Sequence, residues 1–209
     1  TFREDLNNKT DRNTDVRLGV TINDDVFRRD FTINALFYDI AECKVIDLVG
    51  GIKDLRNRIV KAVGHPYLRF EEDNLRKLRA IRFASRLGFT IEHHTLNAII
   101  SDPKLNVTLE RIYNELATMY STAKDVKALT NLLHASGLLA TIFPEVTFKH
   151  RDDVDFTVIR SFSSWLAMIY KDYPTIAKMS LFHLKFPTTI CNNVEFLLKY
   201  CTTDEHQIK

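Results

Sequence analysis

The longest amphipathic pattern in the chain runs from Phe70 to Phe89. Apolar residues recur there at the 3.6-residue period of an α-helix and would form one buried face: Leu75, Leu78, Ile81, Phe83, Ala84 and Leu87. Arginines spaced three and four residues apart would occupy the opposite face: Arg76, Arg79, Arg82 and Arg86. The pattern predicts one helix with a buried face and a basic face, and Gly88 is a typical residue at which such a helix ends.

Helical periodicity continues to the end of the chain. It predicts helices at 91–100, 107–120, 124–139, 156–170, 175–184 and 189–200. Asp102-Pro103 is expected to end the first of these, and Thr108 to cap the second. The aromatic residues of the later helices, Trp165 included, are expected to belong to the core rather than to a base-stacking surface.

Strand patterns are confined to the first quarter of the chain. Residues 16–21 predict a short strand, and 37–39 and 45–48 predict a hairpin around a turn at 41–44. The polar stretch 7–15 is typical of an exposed loop. Gly50-Gly51 follows the hairpin without a phosphate-loop pattern, so it favours a tight turn or hinge. The sequence therefore predicts an α+β protein, with a small sheet followed by an all-helical region.

Composition places the chain among folded globular proteins. Its 209 residues are 45% hydrophobic and 27% charged, and neither a membrane-spanning apolar run nor a signal segment is evident. The first residue is not methionine, which suggests a fragment. Three scattered cysteines favour a reducing compartment over a disulfide framework. His93-His94 and residues 150–153 do not complete a ligand set, so no metal site is expected at either.

Positive charge is concentrated in one part of the chain. The net charge is only +2, but nine lysines and arginines stand against three acidic residues between Arg56 and Arg86. A phosphate-bearing partner is therefore expected near this region.

Asp73 and Arg76 suggest a more specific chemistry. They are three residues apart, so a helix would place an acceptor carboxylate beside a donor guanidinium. Cytosine and adenine each offer an amino donor beside a ring-nitrogen acceptor, whereas guanine and uracil offer a carbonyl beside a ring N–H. The pair would accept C and A and reject G and U. A solvated, ion-paired helix face remains the alternative interpretation.

Glu72-Asp73-x-x-Arg76-x-x-Arg79 followed by RAIRFASRLGF resembles the nucleotide-recognition motif of class II CCA-adding tRNA nucleotidyltransferases and bacterial poly(A) polymerases. Other blocks resemble the same family in the same order: RRDFTINALFYDI, DLVGGIKDLRNRIV, the helix containing Glu110-Arg111, and GLL followed by Pro144-Glu145. The resemblance extends over nearly all of residues 1–145.

The resemblance implies roles for individual residues. Arg29 and Asp30 would face the ribose and phosphates of a nucleotide, and Asn34 would support them. Asp73 and Arg76 would read the base, while Arg79 and Arg82, further along the helix, would meet the triphosphate. The Glu110-Arg111 pair would brace the helical neck.

The catalytic centre of the family is not found in the chain. Family members place a Gly-Gly-x-x-x-Arg-Asp loop and an Asp-x-Asp metal pair upstream of the position that matches Thr1. The aspartates near this end of the chain fall outside those positions and are not assigned as ligands: Asp5, Asp11, Asp15, Asp24 and Asp25. Mg²⁺ is therefore expected to be bound by residues outside this chain, and the fragment alone is expected to be inactive.

The expected domains are the last part of a nucleotidyltransferase head at 1–55, a helical neck at 56–122 and part of a helical body at 123–209. The expected function is addition of CMP and AMP to the tRNA 3′ end, with ATP and CTP as substrates. A poly(A) polymerase is an alternative, and a non-catalytic nucleotide- or RNA-binding module, or half of a split enzyme, is another. The expected location is cytoplasmic, or mitochondrial in a eukaryote.

Overall fold

The computed structural model describes residues 3–5, 16–18, 21–148 and 156–200 of the chain. The polar stretch at 7–15 and the cluster at 150–153 lie outside the described residues. The fold is α+β, as the sequence predicts: short strands near the start are followed by a long helical region.

The N-terminal part contains two antiparallel hairpins. Strands β1 (Arg3–Asp5) and β2 (Val16–Leu18) form the first, and β3 (Leu36–Asp39) and β4 (Lys44–Asp47) form the second. The second hairpin confirms the predicted one. The strand predicted at 16–21 is present up to Leu18, and residues 19–20 are not described.

Three short helices in this part were not predicted. Helix α1 (Ile22–Phe27) begins with a capping box between Thr21 and Asp24, and a 3-10 helix (Thr32–Asn34) follows it. Helix α2 (Gly51–Arg56) begins at the glycine pair, and Gly50 adopts a left-handed conformation with φ of 81°. A side chain at Gly51 would place its Cβ 2.2 Å from the carbonyl oxygen of Thr32, so only glycine lets the two segments approach this closely.

Phe70 to Phe89 is not one helix, and this part of the prediction is wrong. Helix α3 (Pro66–Glu72) ends at Asp73, and α4 (Leu75–Leu87) begins two residues later. Asp73 has an extended backbone, with φ of −149°. Asn74 donates from Nδ2 to the Phe70 carbonyl oxygen (2.7 Å) and accepts from the Asn106 backbone N–H (3.2 Å). These bonds compete with the helical ones and stabilise the break.

Two-residue strands join the N-terminal part to the helices. Strand β5 (Ile59–Val60) pairs in parallel with β6 (Thr90–Ile91), which follows α4 directly. Gly88 separates α4 from β6 in a left-handed conformation, so the predicted end of the helix is confirmed.

The remaining helices broadly follow the prediction. They are α5 (His93–Ser101), α6 (Leu109–Thr122), α7 (Val126–Ala135), α8 (Leu138–Ile142), α9 (Phe162–Ile169), α10 (Ala177–His183) and α11 (Thr188–Tyr200), with a second 3-10 helix at Phe156–Val158. The helix predicted at 124–139 is two helices separated at Ser136 and Gly137. Thr108 precedes α6, but its side chain makes no capping hydrogen bond.

The main core lies among α4, α6, α7 and α9. Leu78, Ile81 and Leu116 are fully buried there. Trp165 is also fully buried and donates from Nε1 to Thr130 Oγ1 at 2.8 Å, which confirms its expected place in the core. None of the described helices combines the length and the apolar character needed to cross a membrane.

Candidate nucleotide-binding cleft

A cleft of about 510 Å³ lies between the N-terminal part and the helical region. Its volume is within the range of small-molecule binding sites. Residues from three separate segments line this cleft: Arg28, Arg29, Asp30 and Asn34; Asp73, Leu75, Arg76, Arg79 and Phe83; and Arg111. Five arginines against two aspartates give its lining a positive charge, which suits an anionic ligand.

The first segment forms a local network around Asn34. Its Nδ2 donates to Asp30 Oδ1 at 3.1 Å, and its backbone carbonyl oxygen accepts from Arg29 Nη1 at 2.7 Å. The backbone N–H of Phe31 also donates to Asp30 Oδ1, at 2.8 Å. The structure therefore brings together Arg29 and Asp30, which were expected to face the ribose and phosphates, and Asn34, which was expected to support them and contacts both.

Arg79 connects the second segment to the first. It donates from Nε to Asp30 Oδ2 at 2.7 Å, and its Nη2 lies 2.6 Å from the same oxygen. Asp30 is 9% exposed and the Arg79 side chain 34% exposed. The residue expected at the ribose and one expected at the triphosphate are thus paired with each other across the cleft.

Asp73 and Arg76 both line the cleft, but no hydrogen bond or ion pair joins their side chains in the part of the chain described. Asp73 Oδ2 accepts from Arg111 Nη2 at 2.8 Å, and its Oδ1 accepts from the Leu75 backbone N–H at 3.1 Å. The expected side-by-side pair is absent because Asp73 lies at the helix break and is held by α6 instead.

Arg76 is held by partners of its own. Its Nη1 donates to Glu72 Oε2 at 2.6 Å and to the Arg69 carbonyl oxygen at 2.9 Å. Its Nη2 donates to the carbonyl oxygen of Arg28 at 2.9 Å, which connects it to the N-terminal part. The Asp73 carboxylate, an acceptor, and the Arg76 guanidinium, a donor, are therefore held at the cleft by different neighbours.

Arg82 is not among the cleft-lining residues. It is 8% exposed, and its Nε donates to Glu115 Oε1 of α6 at 2.5 Å. Its guanidinium also lies over the Phe83 ring, 4.4 Å from the centroid. The sequence placed Arg82 on an open basic face, whereas the structure places it in a buried ion pair between two helices.

Two residues in or next to the cleft have contacts that were not recognised from the sequence. Arg111 was expected, together with Glu110, to brace the helical neck; in the structure Arg111 holds Asp73 at the cleft, and Glu110 is exposed. Asp25 of α1 was assigned no role, yet it is 1% exposed and paired with both Arg28 and Arg29. The spacing Asp25-x-x-Arg28-Arg29 was the available signal, because one helical turn brings such residues together.

Burial opposes the charged form of Asp25. The hydrogen bonds and positive charges of Arg28 and Arg29 outweigh this effect and hold the pKa of the Asp25 carboxyl below its ordinary value. Asp25 is therefore a carboxylate at neutral pH, and the neighbouring arginines are oriented by an anion.

The described residues of the cleft do not form a metal site. Among the described residues, no group of three or more histidine, cysteine, aspartate or glutamate side chains is arranged to hold a metal ion. The carboxylates at the cleft are occupied by arginines instead, so they do not fit a metal site.

Two protein-family models match the chain. Residues 1–61 match the poly A polymerase head domain, and residues 88–149 match the probable RNA- and SrmB-binding site of polymerase A. The cleft combines residues from the first match, residues of the segment between the two matches, and Arg111 from the second.

The curated relatives are named for two different activities. The CCA-adding enzyme of Lactobacillus helveticus is 42% identical over 122 residues, which cover 57% of this chain and 30% of the relative. Poly(A) polymerase I of Escherichia coli is 36% identical over 132 residues, which cover 61% of this chain and 28% of the relative. The chain thus spans about 30% of the length of the curated relatives it matches.

Solved structures share the fold over most of the chain. The Bacillus stearothermophilus CCA-adding enzyme in complex with CTP superposes with a TM-score of 0.71 and 25% identity, over 95% of this chain and 50% of that one. The Thermotoga maritima CCA-adding enzyme complexed with tRNA gives a TM-score of 0.67 and 22% identity, over 86% of this chain and 48% of that one. The likeness therefore includes the helical region beyond the second family match.

Proposed function

The chain belongs to the family of class II CCA-adding tRNA nucleotidyltransferases and bacterial poly(A) polymerases, and from this premise we propose that it is part of an enzyme that adds CMP and AMP to the tRNA 3′ end. The observation that carries the proposal is the cleft. It gathers the family's ribose-motif residues and its base-motif residues, distant in sequence, around one positively charged space.

The arginines of the cleft suit a nucleoside triphosphate. Guanidinium groups bind phosphate oxygens through paired N–H donors, and Arg29 of the first segment and Arg79 of the second segment both line the cleft with such groups. Asp30 is an acceptor for a ribose hydroxyl, which a deoxyribose lacks at its 2′ position. Phe83 lines the same space and adds an apolar surface.

Asp73 and Arg76 supply the base specificity in this proposal. The carboxylate accepts from the amino group of cytosine or adenine, and the guanidinium donates to the adjacent ring nitrogen. Because different neighbours hold the two side chains, their separation is fixed by the fold rather than by a mutual ion pair. No nucleic-acid template is needed for such a choice, since protein groups read the base.

In this proposal the described residues contribute binding groups, and the metal centre lies outside them. Mg²⁺ would be held by carboxylates outside these residues, where it would activate the RNA 3′ hydroxyl and stabilise the departing pyrophosphate. Within this chain the described residues bind the nucleotide, orient it and select its base.

The proposal includes an organisation and a partner. Residues 1–55 would complete a catalytic head, 56–122 would form the neck and 123–209 part of the body, in agreement with α2 ending at Arg56 and α6 at Thr122. A tRNA 3′ end would reach the cleft from solvent, and the enzyme would act in the cytoplasm.

Nucleotide incorporation by the complete protein tests the proposal. We expect a tRNA lacking its last three nucleotides to be extended with CTP plus ATP and not with GTP or UTP. The poly(A) alternative, which the Escherichia coli relative favours, predicts incorporation of ATP alone into many RNA 3′ ends. Absence of any incorporation, in a protein that still binds nucleotide or RNA, would support the non-catalytic module.

A further inference from the structure

We infer that Asp25 is a positioning residue for the nucleotide triphosphate, acting through Arg28 and Arg29; this inference rests on the proposed function. Asp25 lies on α1, behind the two arginines that line the cleft, and its side chain is 2% exposed. It does not line the cleft itself, so its effect on a ligand is indirect.

The carboxylate divides its two oxygens between the two arginines. Oδ1 accepts from Arg28 Nε at 2.7 Å and lies 2.5 Å from Arg28 Nη2. Oδ2 accepts from Arg29 Nε at 3.0 Å and from Arg29 Nη2 at 2.9 Å. Each guanidinium therefore contacts one carboxylate oxygen through both its Nε and its Nη2 atoms. Two contacts along one edge fix the plane of the guanidinium.

Arg29 is further constrained by its surroundings. Its Nη1 donates to the Asn34 carbonyl oxygen at 2.7 Å, and its guanidinium carbon lies 4.6 Å from the centre of the Phe37 ring. With Nε, one Nη1 N–H and one Nη2 N–H used by described residues, one N–H on each terminal nitrogen is left for a ligand. Two terminal donors held in one plane match a pair of phosphate oxygens.

Orientation and simple charge predict opposite effects of removing the Asp25 carboxylate. If the carboxylate acted only through its charge, its loss would make the cleft more positive and tighten the binding of an anion. If it orients the arginines, its loss frees them to rotate and weakens the binding of the triphosphate. Because Asp25 is buried and accepts hydrogen bonds from the Nε atoms of both arginines, we expect its loss to weaken triphosphate binding.

The test uses the complete protein with Asp25→Asn, which preserves shape and removes charge. We expect CTP and ATP to bind about tenfold more weakly, with the same factor for both, because roughly one charge-assisted hydrogen bond is lost. CMP lacks the β and γ phosphates, and its binding should change much less. Glu42→Gln, which removes one charge from an exposed side chain paired with Lys44, is the matched control and should leave all three affinities unchanged.

A double variant tests whether the effect passes through the arginine. In the Arg29→Gln background, Asp25→Asn should lower the affinity for CTP by much less than tenfold, because one of the two arginines that Asp25 positions has already been removed. The double variant can still be compared with Arg29→Gln if Asp25→Asn alone does not fold. In the double variant only Arg28 is left without its carboxylate partner, whereas in Asp25→Asn both arginines are.

Three outcomes would overturn the inference: tighter or unchanged CTP binding in Asp25→Asn, an equal loss for CMP and CTP, or full additivity in the double variant. Failure of the proposed function would be recognised separately, because the unaltered protein would then not incorporate CTP or ATP.

Discussion

Asp30 and Arg79 are 49 residues apart in the chain, and their side chains form an ion pair of 2.6 Å across the cleft. In the proposed function the same two groups meet the ribose and the triphosphate. A bound nucleotide must therefore share these groups with their existing pair or replace it. The binding groups on the two sides of the cleft are held in place by each other before a nucleotide arrives.

Asp30→Ala is expected to narrow the preference for ribonucleotides over deoxyribonucleotides. A hydrogen bond to a charged group contributes about 1.5–3 kcal/mol, so roughly a tenfold or greater loss of sugar discrimination should follow. The measurement is incorporation of CTP and dCTP by the complete protein. Unchanged discrimination would remove Asp30 from the ribose site.

Arg79→Ala provides the comparison for that variant, because it breaks the same ion pair without removing the ribose acceptor. It should weaken binding of ribo- and deoxyribonucleotides by similar factors. If the two variants lowered discrimination equally, the ion pair itself, rather than the Asp30 carboxylate, would account for the sugar preference.

The sequence predicted the fold best where the pattern is local. The buried positions Leu75, Leu78 and Ile81 follow from helical periodicity, and the second hairpin follows from short strands around a turn. The break at Asp73 could not be predicted in this way. It depends on the bond from the Asn106 backbone to Asn74, whose partners are 32 residues apart.

In the candidate site, too, local sequence patterns predicted some positions, whereas contacts between distant residues determined others. Motif resemblance selected the residues at positions 29, 30, 34, 73, 76 and 79, which the fold brings to one cleft. Arg82 has the same helical spacing, yet its neighbour Glu115 belongs to a different helix and holds it in a buried ion pair. Spacing along one helix cannot show which arginine faces a cleft and which faces another helix.

Asp47 leads to a prediction about acid stability. Burial opposes its charged form, but backbone N–H donors at the start of α2, from Val49 to Ile52, outweigh this and hold the Asp47 pKa below its ordinary value of 3.8. A carboxyl with a lowered pKa in the folded state stabilises the fold above its ordinary pKa, and this contribution is lost as the pH falls through the folded-state value.

Asp47→Asn should therefore lower the free energy of unfolding at pH 7 by about 1 kcal/mol, the usual difference between hydrogen bonds to a charged and to a neutral acceptor. The difference from the unaltered protein should shrink below about pH 4. Urea unfolding at pH 7 and pH 3 measures both values. Glu42→Gln is the control, and a difference that stayed constant with pH would contradict a role for the Asp47 charge.

Binding of tRNA should depend steeply on salt. Arg56, Arg58 and Lys61 are exposed and, within the described part of the chain, form no ion pairs, so they are available to RNA phosphates. Neutralising one of them should reduce the slope of log affinity against log salt by about 0.7–0.9, the value for one lost phosphate contact. Filter binding across a salt series measures this slope.

Lys178→Gln is the matched control for the salt series. Lys178 of α10 is exposed, lies outside the basic stretch of the sequence and is paired with Glu195 of α11, so its neutralisation should leave the slope unchanged. A tRNA affinity independent of salt would mean that the basic stretch is a solvated surface with no part in RNA binding.

Asp73→Ala is expected to change which bases are used, not merely how well nucleotides bind. Asp73 presents an acceptor that matches the amino group of cytosine or adenine, whereas guanine and uracil would bring a carbonyl oxygen against it. Each mismatch leaves polar groups unpaired at a cost of about 1–3 kcal/mol, or roughly one to two decades of selectivity. The variant should lower CTP and ATP use and bring GTP and UTP closer to them, as measured by kcat/KM for each nucleotide with the complete protein.

Glu71→Ala is the control for Asp73→Ala, because it removes an exposed carboxylate two residues away and should leave the ratios unchanged. Because Arg111 pairs with Asp73, Arg111→Ala should move the ratios in the same direction by releasing the Asp73 carboxylate from its fixed position. A proportional loss for all four nucleotides in Asp73→Ala would instead show that this residue supports the helix break and takes no part in reading the base.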